Sequence, residues 1–353
     1  MPTIKQSPKN TGLKNCLLFF VAAICILGFS SNVSSGAMTG LKISSTIIIP
    51  SLFPFTVCSV FFQKSGGLLW LGNKLNKITT KLLKITGTEI SVIFLSLMGG
   101  YPIGAKIADE LYSNGDLDLF SAKKLLRFSV NPSPAFYISV VGIHIFKSFS
   151  VGVILFISNL LACFTLNCLF LNKNNFTTLK KYAIKGENFS DCFVASVISG
   201  AEITINICSF IILFSAITEI VKLLPIKFET CCFISPLLEI SFGINEISKL
   251  GVPTYLYSFF LSFGGLSTIC QVKQSAKNIK PTFLYLFFYR FIHSIFSTLI
   301  TMMLLKIFPI HSEVFSNGTE IKFMEYPLFI PSVMLIIFSA MFLFVLSSPK
   351  QKI

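Results

Sequence analysis

The chain has 353 residues, of which 53% are hydrophobic and only 12% are charged, and its formal net charge is +14. Soluble domains carry about 25% charged residues, so this composition excludes an ordinary water-soluble protein. The cationic residues stand in short clusters between apolar runs, a pattern that indicates a multi-pass membrane protein and excludes a nucleic-acid-binding surface.

Apolar segments recur along the whole chain, and each is long enough, or nearly so, to cross about 30 Å of hydrocarbon. Lysine clusters in the connecting loops place those loops, and both chain termini, in the cytoplasm of a bacterial cell. The sequence therefore predicts an all-α polytopic inner-membrane protein with about eight transmembrane helices. The predicted helices cover residues 16–34, 43–62, 88–104, 148–170, 201–224, 253–270, 283–305 and 327–346.

Segment 88–104 leaves the topology of the next loop open. If 88–104 crosses the membrane, loop 105–128 lies outside, although the loop carries Lys123, Lys124 and Arg127. If 88–104 is a re-entrant hairpin, the loop returns to the cytoplasm. Short segments broken by glycine are tolerated only against protein or a polar cavity, because their freed backbone groups cannot face lipid.

Four further stretches are predicted not to span the membrane. Residues 132–146 and 231–244 are apolar but too short to cross it. Residues 66–86 and 119–129 are amphipathic, which predicts helices lying along the membrane surface.

An internal repeat follows from the order of the segments. Segments 43–62 and 201–224 each precede a glycine-paired segment, SLMGGYPIGAK at 96–106 and SFGGLSTICQVK at 262–273, and then a full span. Charge counts start the first repeat outside and the second inside, which predicts an inverted repeat with a binding site near the midplane. The predicted organisation is an N-terminal tail and first helix at 1–42, repeats at 43–171 and 201–306, a basic linker at 172–200, and an outer loop, last helix and tail at 307–353.

The glycine breaks supply most of the candidate binding residues. Pro102 lacks an amide proton and its neighbouring glycines permit unusual backbone angles, so an unwound break with a half-helix N-terminus is predicted there. The alternative for each break is a kink that serves only close packing, with hydroxyls bonding to their own helix. The candidates are Pro54, Gly99, Gly100, Tyr101, Pro102, Gly104, Lys106, Asn131, Gly264, Gly265, Ser267 and Gln271.

Three ionisable residues inside apolar runs complete the candidate site. Glu239 is a predicted ligand for a cation or solute, with a satisfied structural carboxylate as the alternative. Arg290 and His293 share one helical face. A buried Arg290 needs a partner, for which Glu239 is the candidate, unless Arg290 snorkels toward the cytoplasm. Without a triad, metal-ligand spacing or carboxylate pair, the sequence predicts no enzyme, no metal site and no cofactor beyond a coupling Na⁺ or H⁺.

Six motifs in a fixed order carry a family resemblance: LFPF at 52–55, GGYPIGAK at 99–106, Asn131-Pro132-Ser133, LLEISFG at 237–243, FGGLSTICQ at 263–271 and RFIHS at 290–294. Over residues 40–305 they resemble the YlbJ-type sporulation integral membrane proteins, which contain two nucleoside-recognition (Gate) domains. One departure is that the second glycine break has no proline, so the symmetry of the repeats is approximate.

The resemblance implies an inner-membrane protein of endospore-forming bacteria that is needed for the spore cortex. With the inverted repeat, it favours transport or recognition of a small polar solute, nucleoside-like solutes included. The alternative is a non-transporting scaffold that recruits other sporulation membrane proteins through its interfacial helices.

Overall fold

The computed structural model describes residues 9–82, 85–170 and 188–309. The predicted span 327–346 and most of the basic linker 172–200 lie outside these residues. Every regular element within them is helical, as predicted. In this part of the chain, four helices are long and apolar enough to cross a membrane: Ser30–Lys64, Phe149–Leu169, Phe189–Val221 and Phe283–Ile307.

The remaining apolar segments are shorter helices, several of them joined in pairs through a break. Ser30–Lys64 is one continuous helix made of α2, a π-helical turn and α3, so the predicted span 43–62 begins inside it. In chain order the elements are α1 (Lys9–Gly28), α2 (Ser30–Ile43), the π-helical turn Ser44–Ile48, α3 (Ile49–Lys64), α4 (Gly67–Leu82), α5 (Gly87–Gly99), α6 (Tyr101–Ser113), α7 (Leu119–Phe128), the π-helical segment Phe136–Ile145, α8 (Phe149–Leu169), α9 (Phe189–Val221), α10 (Phe228–Leu238), α11 (Ile240–Ser248), α12 (Thr254–Phe263), α13 (Gly265–Ser275) and α14 (Phe283–Ile307).

The long helix 30–64 packs antiparallel against α9 through glycines. A Cβ added to Gly36 would lie 2.7 Å from the Cα of Ala216, so the two backbones touch there. Further along, a Cβ on Gly200 would lie 2.7 Å from the side chain of Val57. Small residues let membrane helices approach this closely without a hydrophobic driving force. The start of one helix therefore lies beside the end of the other.

One end of the bundle holds the C-terminal ends of α3 and α6 and the N-terminal ends of α5 and α7. Gln63 Nε2 donates a hydrogen bond of 2.6 Å to Glu110, and Lys124 forms an ion pair of 3.0 Å with Glu89. Helices α5 and α6 therefore enter and leave at the same end and form a re-entrant hairpin. We call this the lysine-rich end, because it carries Lys64, Lys74, Lys77, Lys81, Lys123, Lys124, Lys277 and Lys280.

This geometry decides between the two alternatives for segment 88–104. The segment does not cross the bundle, and residues 105–128 lie at the same end as Lys64. The structure therefore agrees with the re-entrant alternative, which returns 105–128 to the side of Lys64, and not with the placement of 105–128 outside. The physical reason is the sharp break after Gly99, which lets the chain turn back before it reaches the far end.

A second hairpin, α10 and α11, enters from the opposite end. Lys222, just after α9, pairs with Glu246 at 3.2 Å, and Lys249 pairs with Glu246 at 2.7 Å. A Cβ on Gly243 would lie 2.1 Å from the nitrogen of Pro236, so the two arms are in backbone contact. Residues 231–244, predicted as too short to span, lie in this hairpin.

Two crossings are each made of two short elements. Helix α7 starts at the lysine-rich end, and the π-helical segment ends beside Phe146, whose ring lies 4.7 Å from that of Tyr257 near the opposite end. Helix α12 starts near Tyr257, and after α13 the backbone N–H of Asn278 donates to Asp109 at 2.8 Å, back at the lysine-rich end. The predicted span 253–270 is thus broken in the middle.

The two amphipathic stretches behave differently. Helix α7 does not lie on the bundle surface as predicted for 119–129, because Leu125 and Leu126 are buried in the core formed with α5 and α6. Helix α4 keeps an exposed apolar face, with Trp70 52% and Ile78 58% exposed. Only the first of the two predictions, for 66–86, is compatible with this placement.

Candidate functional site

Four helix breaks meet at one cavity of about 40 Å³, which we call the central cavity. Some of the residues that line it come from the breaks and from the N-terminal part of the half-helix after each break. The others are apolar residues of the long helices 30–64 and α9, namely Ile48, Leu52, Ile207 and Ile211. The N-terminus of each such half-helix carries a positive partial charge toward the cavity. The lining includes Gly100, Tyr101 and Pro102 from the first break, Pro132 and Ser133 from the second, Glu239 and Ser241 from the third, and Thr268 and Gln271 from the fourth.

The first break consists of a single glycine between α5 and α6. Gly100 has φ 82° and ψ −172°, a conformation that residues with a side chain rarely adopt. Pro102 follows at the start of α6, where its missing amide proton costs no hydrogen bond. The hydroxyl of Tyr101 donates to the carbonyl of Leu261 at 2.6 Å. This bond ties the tip of the first hairpin to the broken crossing α12–α13.

The third break is made by Glu239. Its backbone is extended, and its Oε2 accepts a hydrogen bond of 2.6 Å from the N–H of Phe242, which caps α11. The side chain is 1% exposed and lines the central cavity. Glu239 therefore has a structural role as a helix cap and also faces the site.

The third and fourth breaks touch through their backbones. Gly265 has φ 80°, and a Cβ there would lie 3.0 Å from the carbonyl oxygens of both Pro236 and Leu238. Gly264 has φ 83° and lies against the ring of Tyr101. Gly265 thus allows the close approach of the second hairpin, and Gly264 allows that of the first.

Arg290 does not pair with Glu239, in contrast to the sequence-based expectation. Its Nε donates to the carbonyl of Phe263 at 3.2 Å, and its Nη1 donates to the carbonyl of Val130. Among the described residues no ion pair joins Arg290 to Glu239, and with 2% exposure Arg290 does not snorkel. The guanidinium instead lies at the C-terminal ends of α7 and α12, where the helix dipoles favour a cation. His293 Nδ1 lies 3.2 Å from Nη1.

Asn159 on α8 joins the same two crossings and was missed by the sequence analysis. Its Nδ2 donates to Asn131 at 3.1 Å, and its Oδ1 accepts from the hydroxyl of Ser262 at 3.0 Å. Its backbone carbonyl lies 3.2 Å from His293 Nε2, which assigns the N–H to Nε2 and leaves Nδ1 to accept from Arg290. The available signal was an amide inside an apolar span, where a polar group needs a partner.

The other predicted site residues divide between lining and packing. Gln271 lines the cavity, and its Nε2 donates to Ser267 at 3.2 Å. A Cβ on Gly104 would lie 2.0 Å from the carbonyl of Ser129, so this glycine serves close packing. Asn131, Arg290 and His293 do not line the central cavity but form hydrogen bonds next to the breaks. Pro54 and Gly99 also lie outside the lining, within α3 and at the end of α5.

A second cavity of about 160 Å³ adjoins the first, and we call it the vestibule. It shares Pro102, Ile207 and Gln271 with the central cavity. Its other lining residues are polar or charged, apart from Ile203: Lys106, Asp109, Glu110, Glu202, Asn206, Gln274, Ser275 and Lys277. Within the described ranges, no group of three or more His, Cys, Asp or Glu side chains could hold a metal ion.

The fold and site define a multi-pass integral membrane protein with broken helices around a small, mainly apolar cavity to which a few polar groups, Glu239 among them, contribute. The sequence is similar to the sporulation integral membrane protein YlbJ of Bacillus subtilis (strain 168), with 22% identity over 312 residues that cover 76% of each chain. This similarity supports a relationship to the YlbJ proteins and a place among the membrane proteins of sporulation. No protein-family model and no solved structure matches the chain.

Proposed function

We propose that the protein transports a small polar solute across the bacterial inner membrane during sporulation, in support of the spore cortex. The observation that carries the proposal is the meeting of two hairpins, one from each end of the bundle, at the central cavity. Transporters built from inverted repeats place their substrate site between such broken helices. The lysine-rich end is the cytoplasmic end in this proposal, following the positive-inside rule.

An inverted Gate-type repeat accounts for the order of the elements. Each half has a long helix, a re-entrant hairpin, a broken crossing and a second long helix. Gly104 follows Gly100 by four residues, Gly243 follows Glu239 by four, and both later glycines make backbone contacts. This correspondence pairs GGYPIG with LEISFG, whereas the sequence analysis paired it with FGGLSTICQ.

The central cavity is too small for a nucleoside-sized solute, so in this proposal the structure is a closed state of the transporter. About 40 Å³ holds a few water molecules or a small ion, since one water needs roughly 10–15 Å³ in this measure. A nucleoside-sized solute therefore enters only when the hairpin tips separate. Glu239 supplies a carboxylate for a coupling Na⁺ or H⁺ or for the solute itself.

Thermal unfolding of the purified protein tests this proposal. The probes are nucleosides, peptidoglycan precursors, dicarboxylates and inorganic cations, each added to protein in detergent. A ligand at about 100 times its dissociation constant stabilises the folded state by about 2.7 kcal/mol, which raises the melting temperature. We expect the rise to vanish in Glu239→Gln and to persist in Glu229→Gln, the same change at an exposed position of the same hairpin.

Two results would count against the proposal. One is a panel without any shift for protein that is shown to be folded. The other is an equal shift in the Glu239→Gln variant, which would place the ligand elsewhere.

A scaffold for cortex-assembly proteins is the second candidate, and the exposed apolar face of α4 favours it. Trp70 and Ile78 offer a surface for another membrane protein. If the protein is a scaffold, Trp70→Ala with Ile78→Ala reduces the number of heat-resistant spores in the native host, and Glu239→Gln does not. If it is a transporter, the opposite result is expected at equal protein levels.

A further inference from the structure

The central cavity is closed on one side and approached by polar space on the other. Toward the opposite end it adjoins a buried apolar cluster that includes Tyr137, Phe146, Tyr257 and Phe260, and Tyr101 of the lining packs against this cluster. Toward the lysine-rich end it adjoins the vestibule, which is the larger space. In this state the polar approach to the central cavity therefore comes from the lysine-rich end.

The vestibule presents unpaired charges of both signs. The ammonium groups of Lys106 and Lys277 and the carboxylate of Glu202 form no hydrogen bond or ion pair with another described residue. Asp109, by contrast, accepts hydrogen bonds from Asn278 and from the backbone N–H of Ile279. Glu110 likewise accepts a hydrogen bond from the neutral amide of Gln63. The walls thus carry two cations and three carboxylates, and of these Lys106, Lys277 and Glu202 have no partner among the described residues.

We propose that the vestibule is a second solute-binding site, which receives a zwitterionic solute from the lysine-rich end before the solute reaches the central cavity. Lys106 and Lys277 contact its anionic group and Glu202 its cationic group. Gln271 borders both cavities and separates the two sites. This inference rests on the proposed transport function and adds the class of solute and the side of entry.

Thiol labelling of three matched variants in membrane vesicles tests the side of entry. Asn206→Cys places the thiol in the vestibule, Asn114→Cys on the exposed surface of the lysine-rich end, and Asn245→Cys near the opposite end. The probes are two membrane-impermeant methanethiosulfonates, one cationic and one anionic, applied to vesicles of both orientations. The signal of the unchanged protein, with its native cysteines, is subtracted.

We expect Asn206→Cys to react only in the vesicle orientation that labels Asn114→Cys. Labelling in the orientation that labels Asn245→Cys would overturn the side of entry. An unreactive Asn206→Cys, with both surface variants labelled, would overturn the vestibule as a water-filled site.

The charge of the reagents tests the class of solute. Because the walls carry both signs, we expect the two reagents to modify Asn206→Cys at rates within about threefold of each other, relative to Asn114→Cys. Adding Glu202→Gln should favour the anionic reagent by about tenfold, and adding Lys106→Gln with Lys277→Gln should favour the cationic reagent similarly. A preference for one sign of about tenfold or more in the unmodified walls, or no response to these changes, would overturn the zwitterionic class.

The outcome is separable from that of the thermal unfolding experiment. A panel without shifts together with the expected labelling would leave an entrance without a demonstrated central site. Shifts that depend on Glu239, together with labelling from the other end, would preserve transport and reverse the side of entry.

Discussion

The two hairpins reach the same cavity with different breaks. The hairpin α5–α6 turns at Gly100, which has no side chain and adopts a positive φ. The hairpin α10–α11 turns at Glu239, which keeps an ordinary extended conformation and caps the next helix with its carboxylate. One break depends on the absence of a side chain, and the other depends on a particular side chain. A single fold can therefore hold both a permissive and a chemically specific hairpin tip.

The largest expected effect comes from the residue that serves both halves. In Arg290→Leu the carbonyls of Val130 and Phe263 lose their buried donor, and each unpaired buried group costs about 1–3 kcal/mol. We expect a loss of about 3–5 kcal/mol in the free energy of unfolding, measured by denaturation in detergent. Arg290→Lys keeps the charge but cannot reach both carbonyls. Its free energy of unfolding should therefore lie between those of the unchanged protein and Arg290→Leu. Unchanged stability in Arg290→Leu would show that the hydrogen bonds of Arg290 to Val130 and Phe263 do not stabilise the fold.

Gly100→Ala tests the permissive tip. The φ of 82° with ψ of −172° is essentially restricted to glycine, so a side chain there costs about 1–3 kcal/mol of folding free energy. The control is Gly115→Ala, which has φ 78° but nothing within 4 Å of an added Cβ. We expect the melting temperature to fall further for Gly100→Ala than for the control. Equal falls in melting temperature would mean that the break at Gly100 needs glycine no more than an exposed turn does.

Glu239→Ala and Glu239→Gln test the specific tip. Loss of a helix cap typically costs about 1 kcal/mol, so Glu239→Ala should be destabilised less than Gly100→Ala. The amide of Glu239→Gln still offers an oxygen to the N–H of Phe242, and its stability should change by less than about 1 kcal/mol. A large loss of stability in Glu239→Gln would contradict this expectation and would show that the cap of α11 needs the carboxylate itself.

The sequence predicted the all-helical fold, the break at Gly100 and the burial of Glu239, because each leaves a local signal. Glycine pairs, a proline and a carboxylate in an apolar run are visible without tertiary structure. The partners of Arg290 were not predictable in this way. They are backbone carbonyls, and a carbonyl freed by a helix break has no side-chain signature. The reasonable guess of a carboxylate partner was therefore wrong.

The second hairpin was overlooked for a related reason. Its break has no glycine or proline at the turn itself, since Glu239 makes the cap and Gly243 follows a full helical turn later. Asn159 was overlooked because a lone amide in an apolar span acquires meaning only through the residues it meets. These are features of the packed molecule rather than of any one segment.

The guanidinium of Arg290 has a mechanical consequence. Its hydrogen bonds join the ends of two broken crossings, one from each half of the chain, to α14. If the central cavity opens while these hydrogen bonds of Arg290 remain, the hairpin tips have to move, and the hydrogen bond from Tyr101 to the carbonyl of Leu261 breaks. In the transport proposed above, the two hairpins are therefore the elements that move, and the crossings joined by Arg290 are the elements that stay in place.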